Sequence, residues 1–313
     1  MPQTRDVRGG VNRGVDGVRV SRIDVGGLFL HVREAGPVDG EPLLLVHGWP
    51  QHSGCWERVV ARLDGRYRCV MPDLRGFGLS DAPAGGYEKR RLGDDLLALL
   101  DALELGRVGY VGHDWGAFIG FGLALRAPER LTGLLALSIP HPWPSWHDRL
   151  NPLRLAAFAY QVPLSMPLVG QRLMRRGLTR RVLEHGRRSG TFSEHDLESY
   201  DGSMSSADGP RVTVAMYRTF LLRELPSLAW RGSGDWLEVN TRLLVGEHDP
   251  ITRAADLRGY EMHTADMQVE RVAGAGHFLP DERPELVAAR ARDLFAPREP
   301  TRTVPQRTKV VRA

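Results

Sequence analysis

Short apolar runs alternate with helix-length segments along most of this 313-residue chain. That rhythm constrains the fold more than any other feature. Leu43–Val46 is a continuous apolar run, the kind buried on both faces of a parallel sheet, and Tyr67–Met71, Val108–Val111 and Leu134–Ile139 read as further strands. Between them, 56–63, 92–103 and the segment from Gly116 towards Ala127 read as helices. Ahead of the first run, Val20 to Val32 reads as a β-hairpin turning at Gly26-Gly27. The rhythm breaks at Pro140 and resumes with strands at Thr241–Val245 and Met267–Val272 and helices at 254–260 and 285–294. The pattern predicts an α/β fold, a mostly parallel doubly wound sheet formed by 21–139 and 226–297. A helical insertion is expected over 140–225, a disordered leader over 1–20 and a disordered tail over 298–313.

One turn in this pattern is chemically loaded. Gly112-His113-Asp114-Trp115-Gly116 joins the strand at Val108 to a Gly/Ala-rich helix. A residue centred between glycines on such an elbow is held exposed on a tight turn, where a nucleophile is wanted. A carboxylate there gives an alkyl ester, so the fitting chemistry is displacement at saturated carbon: opening an epoxide or expelling a halide. Hydrolysis of that ester needs a base and an acid to orient it. Asp249, just past the strand Thr241–Val245, is the acid candidate, favoured over Glu247 because Pro250 punctuates its turn. His277, in a Gly-rich loop after the strand ending at Val272, is the base candidate. Oxyanion donors are expected from the backbone N–H groups of Trp115 and of Trp49, in His47-Gly48-Trp49-Pro50. His47 reads as a loop brace and Gly48 as a sharp turn. Asp73 to Ser80 is Gly-rich but lacks the Gly-Lys-Ser/Thr ending of a phosphate loop, so it too reads as a brace.

These motifs, in this order over about residues 20–297, resemble the α/β-hydrolase superfamily and, within it, the epoxide hydrolases with an Asp nucleophile. The resemblance implies the α/β-hydrolase fold with a helical cap inserted after the sixth strand. It also implies two cap tyrosines that bind the epoxide oxygen. Tyr217, followed by Arg218, matches one; Tyr160, followed by Gln161, matches the other, with Tyr200 as the fallback. Product would be a vicinal diol, with no cofactor and no metal. The nearest rival is a haloalkane or haloacetate dehalogenase, for which Trp115 could hold a halide. Against it, the family pattern wants Asn at Trp49, Gln at His113, or Arg beside the nucleophile. A third reading, a ligand-binding protein without turnover, is disfavoured by the complete triad.

Composition narrows the partners. The net charge is +4, carried by arginine with only Lys89 and Lys309 as lysines, and acids are interspersed with bases. A nucleic-acid site is therefore not expected, nor a membrane partner; the densest cationic run, from Arg172 through Arg175, Arg176, Arg180 and Arg181, reads first as a solvated helix face and second as a dock for anionic substrates or a membrane surface. No apolar run reaches 18 residues and the N-terminus lacks a signal-peptide core, which points to the cytosol. Cys55 and Cys69 have no metal or redox spacing. The expected partners are a small apolar epoxide and water, and a homodimer is left open. Trp143, Trp146, Phe158 and Met166 are expected either to line an apolar pocket or to pack insertion against core.

Overall fold

The computed structural model describes residues 12–13, 17–143, 159–186, 191–225, 235–252 and 257–296. Nine strands form one sheet: β1 (Asn12–Arg13), β2 (Arg19–Asp24), β3 (Phe29–Ala35), β4 (Glu41–Val46), β5 (Tyr67–Pro72), β6 (Val108–His113), β7 (Leu131–Leu137), β8 (Thr241–Gly246) and β9 (Met267–Val272). Their order is β1-β2-β3-β5-β4-β6-β7-β8-β9. The first three pair antiparallel, β3 also pairs antiparallel with β5, and the rest are parallel.

Alternation along the strands supplies two cores. Leu44 and Val46 face one side of β4, Leu43 and Leu45 the other; β7 divides likewise into Leu134 with Ala136 and Leu135 with Leu137. Both sides are apolar because both are covered. Helices α2 (Lys89–Ala102) and α3 (Trp115–Arg126) seal the first with Leu92, Leu96, Leu99, Ile119 and Leu123. The short α1 (Glu57–Val60) and the last helix, Pro284–Phe295, seal the second with Val59, Val287, Ala291 and Leu294. Cys55 and Cys69 are buried free thiols within that second core.

Between β7 and β8 the described residues hold helices and no strand. These are α4 (Gln161–Ser165), α5 (Pro167–Arg175), α6 (Leu178–Gly186), α7 (Glu194–Ser205), α8 (Gly209–Thr219) and a π-helical turn at Phe220–Glu224. After β9 come α9 (Leu279–Glu282) and α10 (Pro284–Phe295). The chain winds from β4 outward to β5, then crosses back to β6 on the other side of β4. Loops leaving the carboxyl ends of β4 and β6 therefore face each other at the switch point, where open α/β sheets form sites.

Several boundaries differ from the sequence reading. Within the expected leader, Asn12–Arg13 pairs with Arg19–Val20. Strand β7 begins at Leu131 rather than Leu134 and stops at Leu137 rather than Ile139. Thr132 and Gly133 disguised its start, and Ser138 leaves the strand with φ +55°. The helix read over 56–63 is a 3-10 turn at Ser53–Trp56 followed by one turn of α-helix. Of the helix read over 254–260, residues 254–256 lie outside the described residues. Gly259 is left-handed at φ +91°, and only a 3-10 turn at Tyr260–Met262 follows.

The Gly-rich loop after β5 is a brace, as its sequence suggested. The Asp73 carboxylate accepts from the Ser53 and Leu79 N–H groups and meets His31 Nδ1 at 2.9 Å. Burial opposes its charge, but His31 and the neighbouring histidines hold it below the usual carboxylate range. His47, pushed down to about 4 by burial and so neutral, accepts from the Leu74 N–H at Nε2. The same loop is tied to α2 by a two-pronged pair: Arg75 Nε and Nη2 reach the Asp95 carboxylate at 2.7 and 2.6 Å, with both side chains buried. Arg75→Ala would strand a buried carboxylate, and a loss of about 3–5 kcal/mol is expected in urea unfolding.

Candidate active site

Asp114 stands between β6 and α3 with φ +51° and ψ −121°, a conformation side-chain-bearing residues rarely adopt. The turn is pinned on both sides: the Asp114 N–H donates to Leu137 O at 3.0 Å, and its carbonyl accepts from the Phe118 N–H. Close packing under the turn explains Gly116, where a Cβ would lie 2.1 Å from Val46 O. Gly48 opens the expected turn, its carbonyl accepting from the Gln51 N–H at 3.0 Å, and it has a packing reason as well. A Cβ there would lie 2.5 Å from both Cβ and Oδ1 of Asp114, so glycine lets the loop after β4 reach the carboxylate. The result is a 2.9 Å hydrogen bond from the Trp49 N–H to Asp114 Oδ1.

The other Asp114 oxygen, Oδ2, lies 3.7 Å from His277 Nε2. The far side of the same ring meets both oxygens of Asp249, Nδ1 being 3.1 and 3.0 Å away. Asp249 is itself fixed by the N–H groups of Ile251 and Thr252, which donate to Oδ1 at 2.8 and 3.2 Å. Glu247, the rival acid, is exposed, and its Oε2 accepts from the Gly274 N–H. Burial disfavours a charged His277, yet Asp249 and then Asp114 favour it more strongly, and its pKa is pushed up to about 10. The neighbouring His113 goes the other way, to about 4, because burial and the His277 charge both oppose its protonation.

A cavity of about 530 Å³ opens above these groups. Asp114, His277, Trp49 and Tyr160 line it together with Leu164, Leu173, Val182, Ile251 and Phe278. Tyr160 therefore shares the cavity with the proposed nucleophile. Tyr217 does not line it. Fully buried, Tyr217 packs edge-on against Trp49, Trp115 and Tyr160 at centroid distances of 5.4, 5.9 and 6.0 Å. Burial raises the pKa values of both phenols, and each acts electrostatically on the other. Tyr200, the fallback, is elsewhere, packed against His52 and Phe192. Trp115 is turned into packing, with Phe220 at 4.8 Å and the Lys89 ammonium 4.3 Å over its ring. Trp143 also packs rather than lining the cavity, stacked on His263 at 5.0 Å. Met166 is half-exposed and absent from the lining, and Trp146 and Phe158 lie outside the described residues.

Three supports escaped the sequence. Glu282 accepts from the N–H groups of Gly276 and Phe278 at 2.7 and 3.0 Å, so α9 holds the histidine loop from below. The His277 N–H donates to Gly186 O, the last residue of α6, at 2.9 Å. The Trp49 indole N–H donates to Thr213 on α8 at 3.1 Å. A carboxylate five residues after a histidine is too common a spacing to have flagged the first; the others cross the insertion and leave no local pattern. Among the described residues, no cluster of His, Cys, Asp or Glu could hold a metal. None of their helices is long and apolar enough to cross a membrane.

The electrostatics have a stability consequence. His277 has a folded pKa of about 10 against a reference of 6.5. Its contribution is present in full below pH ~6.5 and is lost as pH rises through about 10. In Asp249→Asn the leading favourable charge is gone. The variant should lose less of its melting temperature between neutral and alkaline pH than the wild type, as read by calorimetry across that range.

Comparison with known proteins agrees with this geometry. The family model described as alpha/beta hydrolase fold matches residues 41–284. Epoxide hydrolase 3 of Xenopus tropicalis is 30% identical over 290 residues, covering 88% of this chain and 76% of its own. The soluble epoxide hydrolase of Corynebacterium sp. (strain C12) is 28% identical over 293 residues, covering 87% of this chain and 96% of its own. Among solved structures, a Bacillus megaterium epoxide hydrolase mutant complexed with its product, a naphthyloxy-propane-diol, superposes with a TM-score of 0.78. It is 28% identical, and the match covers 88% of this chain and 99% of that one. A strained Asp elbow at the switch point of a mostly parallel sheet, matched along this much of the chain, makes the protein a hydrolase of the α/β-hydrolase superfamily, in its epoxide hydrolase family.

Proposed function

We propose that this enzyme converts an epoxide and water to a vicinal diol through a covalent ester on Asp114. The observation that carries the reading is the division of labour between the two Asp114 oxygens. Oδ1 is held by the Trp49 N–H, whereas Oδ2 is turned towards His277 in the cavity. Oδ2 attacks an epoxide carbon. As that C–O bond forms and the ring C–O bond breaks, the ring oxygen takes a proton from Tyr160. Tyr217, behind it, steadies the Tyr160 hydroxyl. Oδ1 becomes the ester carbonyl oxygen, already at a hydrogen-bond donor; the Trp115 N–H is the second donor in this reading.

Ester formation also changes the base. Resting His277 is protonated because two carboxylates face it. Alkylation neutralises Asp114 and removes one of them, so His277 gives up its proton, which passes through water in the cavity and restores the Tyr160 hydroxyl. The neutral imidazole, oriented by Asp249, then takes a proton from water, and the hydroxide adds to the Asp114 carbonyl carbon. The oxyanion collapses, expelling the diol oxygen, which is protonated as the diol leaves. Splitting one displacement into two steps is the gain of the covalent route. The helical insertion serves as a cap that closes this cavity from water, the substrate is a small apolar epoxide, and no cofactor takes part.

One turnover in heavy-oxygen water should leave the label on Asp114 by peptide mass, because the water oxygen enters the carboxylate. Label in the first-turnover diol would overturn the ester route. Tyr160→Phe should slow ester formation by about a hundredfold while leaving ester hydrolysis unchanged, read by stopped-flow tryptophan fluorescence. The dehalogenase alternative rests on Trp115 beside the nucleophile. Diol release from epoxides against halide release from haloalkanes and haloacetates decides between them.

A further inference from the structure

The helices over the cavity carry an outer face that neither the core nor the chemistry uses. On α5, Gly170 and Met174 point inward, and the opposite stripe is Leu168, Arg172 and Arg175 at i, i+4 and i+7, with Val169 and Arg176 beside it. Leu168 is 87% exposed, and Val162 in the first turn of α4 and Met166 just past its end are 54% and 48% exposed. Large apolar side chains grouped on one outer face mark an interaction site more often than singly scattered ones.

The charges around them are equally one-sided. Between residues 159 and 186 the chain has five arginines and one acid, Glu184. Glu184 is taken by Arg180, which also pairs with Glu194. Among the described residues Arg172, Arg176 and Arg181 meet no carboxylate, and Arg175 reaches only Gln171. Arginines elsewhere on the surface are mostly matched, as in Arg22–Asp81, Arg126–Asp94 and Arg290–Glu270. Arg172 and Arg175 share the stripe of the exposed Leu168, and Arg176 lies beside it.

We propose that this α4–α5–α6 face docks on an anionic lipid bilayer, with Leu168, Val162 and Met166 entering the interface and the arginines resting on the headgroups. Apolar side chains ringed by arginine are the chemistry of an interfacial helix. A second copy of the chain fits the face poorly, because a two-fold contact would set these arginines against themselves. The sequence argued against a membrane partner from the evenness of charge along the chain; the fold gathers an uneven part of it on one side. The same helices wall the cavity, whose lining includes Pro163, Leu164, Leu173 and Arg181. A bilayer-dissolved apolar epoxide would enter from there, a consequence that rests on the proposed function.

The test is cosedimentation of the full chain with phosphatidylcholine vesicles, with and without about a third phosphatidylglycerol, over a salt series. Binding should require the anionic lipid and fall with salt. Each arginine should be worth about fivefold in partitioning, so Arg172→Gln/Arg175→Gln/Arg176→Gln together should lose about a hundredfold. Leu168→Gln should lose roughly tenfold. These side chains are exposed, so both variants should keep the wild-type melting temperature. No binding, equal binding to the neutral vesicles, or binding untouched by the substitutions overturns the proposal. So does a dimer in sedimentation that Leu168→Gln dissociates, which would assign the face to a second copy. The assay reads lipid binding without turnover, so its failure and that of the epoxide reading are separable.

Discussion

The hydrogen bond from the Trp49 N–H to Asp114 Oδ1 is the contact on which the rest of the site depends. It exists because two loops from adjacent parallel strands, β4 and β6, diverge in chain direction and converge in space. It also needs glycine at position 48, since any side chain would occupy the carboxylate's place. The bond makes the two carboxylate oxygens unequal before substrate arrives. One is committed to a fixed dipole, and the other remains available to the cavity. Preorganisation of this kind costs no rearrangement at the moment of reaction.

Around that contact the charges form a balanced trio. Two carboxylates flank one imidazole, so a buried proton is held where burial alone would expel it. At the neighbouring histidines, His47 and His113, burial outweighs the pull of nearby carboxylates, and both are neutral. Three buried imidazoles thus take different protonation states from their surroundings alone. The neutral ones brace loops, and the charged one faces the elbow.

Much of this was legible in the sequence, for reasons that are local. Strands buried on both faces read as apolar runs, and β4, β5, β6, β8 and β9 were placed within about two residues. The elbow was legible because glycine on both sides of Asp114 answers to a turn the backbone must make. Asp249 and His277 followed from their places just beyond strand ends. What sequence could not supply were relations across the insertion. Nothing local distinguishes Tyr160, at the cavity wall, from Tyr217, one ring further back. Gly186 has no local pattern that sets it apart, and the start of β7 was hidden because Gly133 is covered by Phe295 from another element.

The bond from the His277 N–H to Gly186 O ties the loop of the base to the end of α6. Gly186 also packs so tightly on Phe278 that a Cβ there would lie 2.7 Å from its ring. The roof and the base are therefore one mechanical unit. If the enclosure opens to admit substrate or release product, α6 near Gly186 must stay seated, and the opening must come from the α4–α5 side. An excursion of the whole roof would dislodge the imidazole from the aspartates that define it. The tether makes the two sides of the enclosure unlike: the α6 side is bonded to the loop of the base, and among the described residues the α4–α5 side is not.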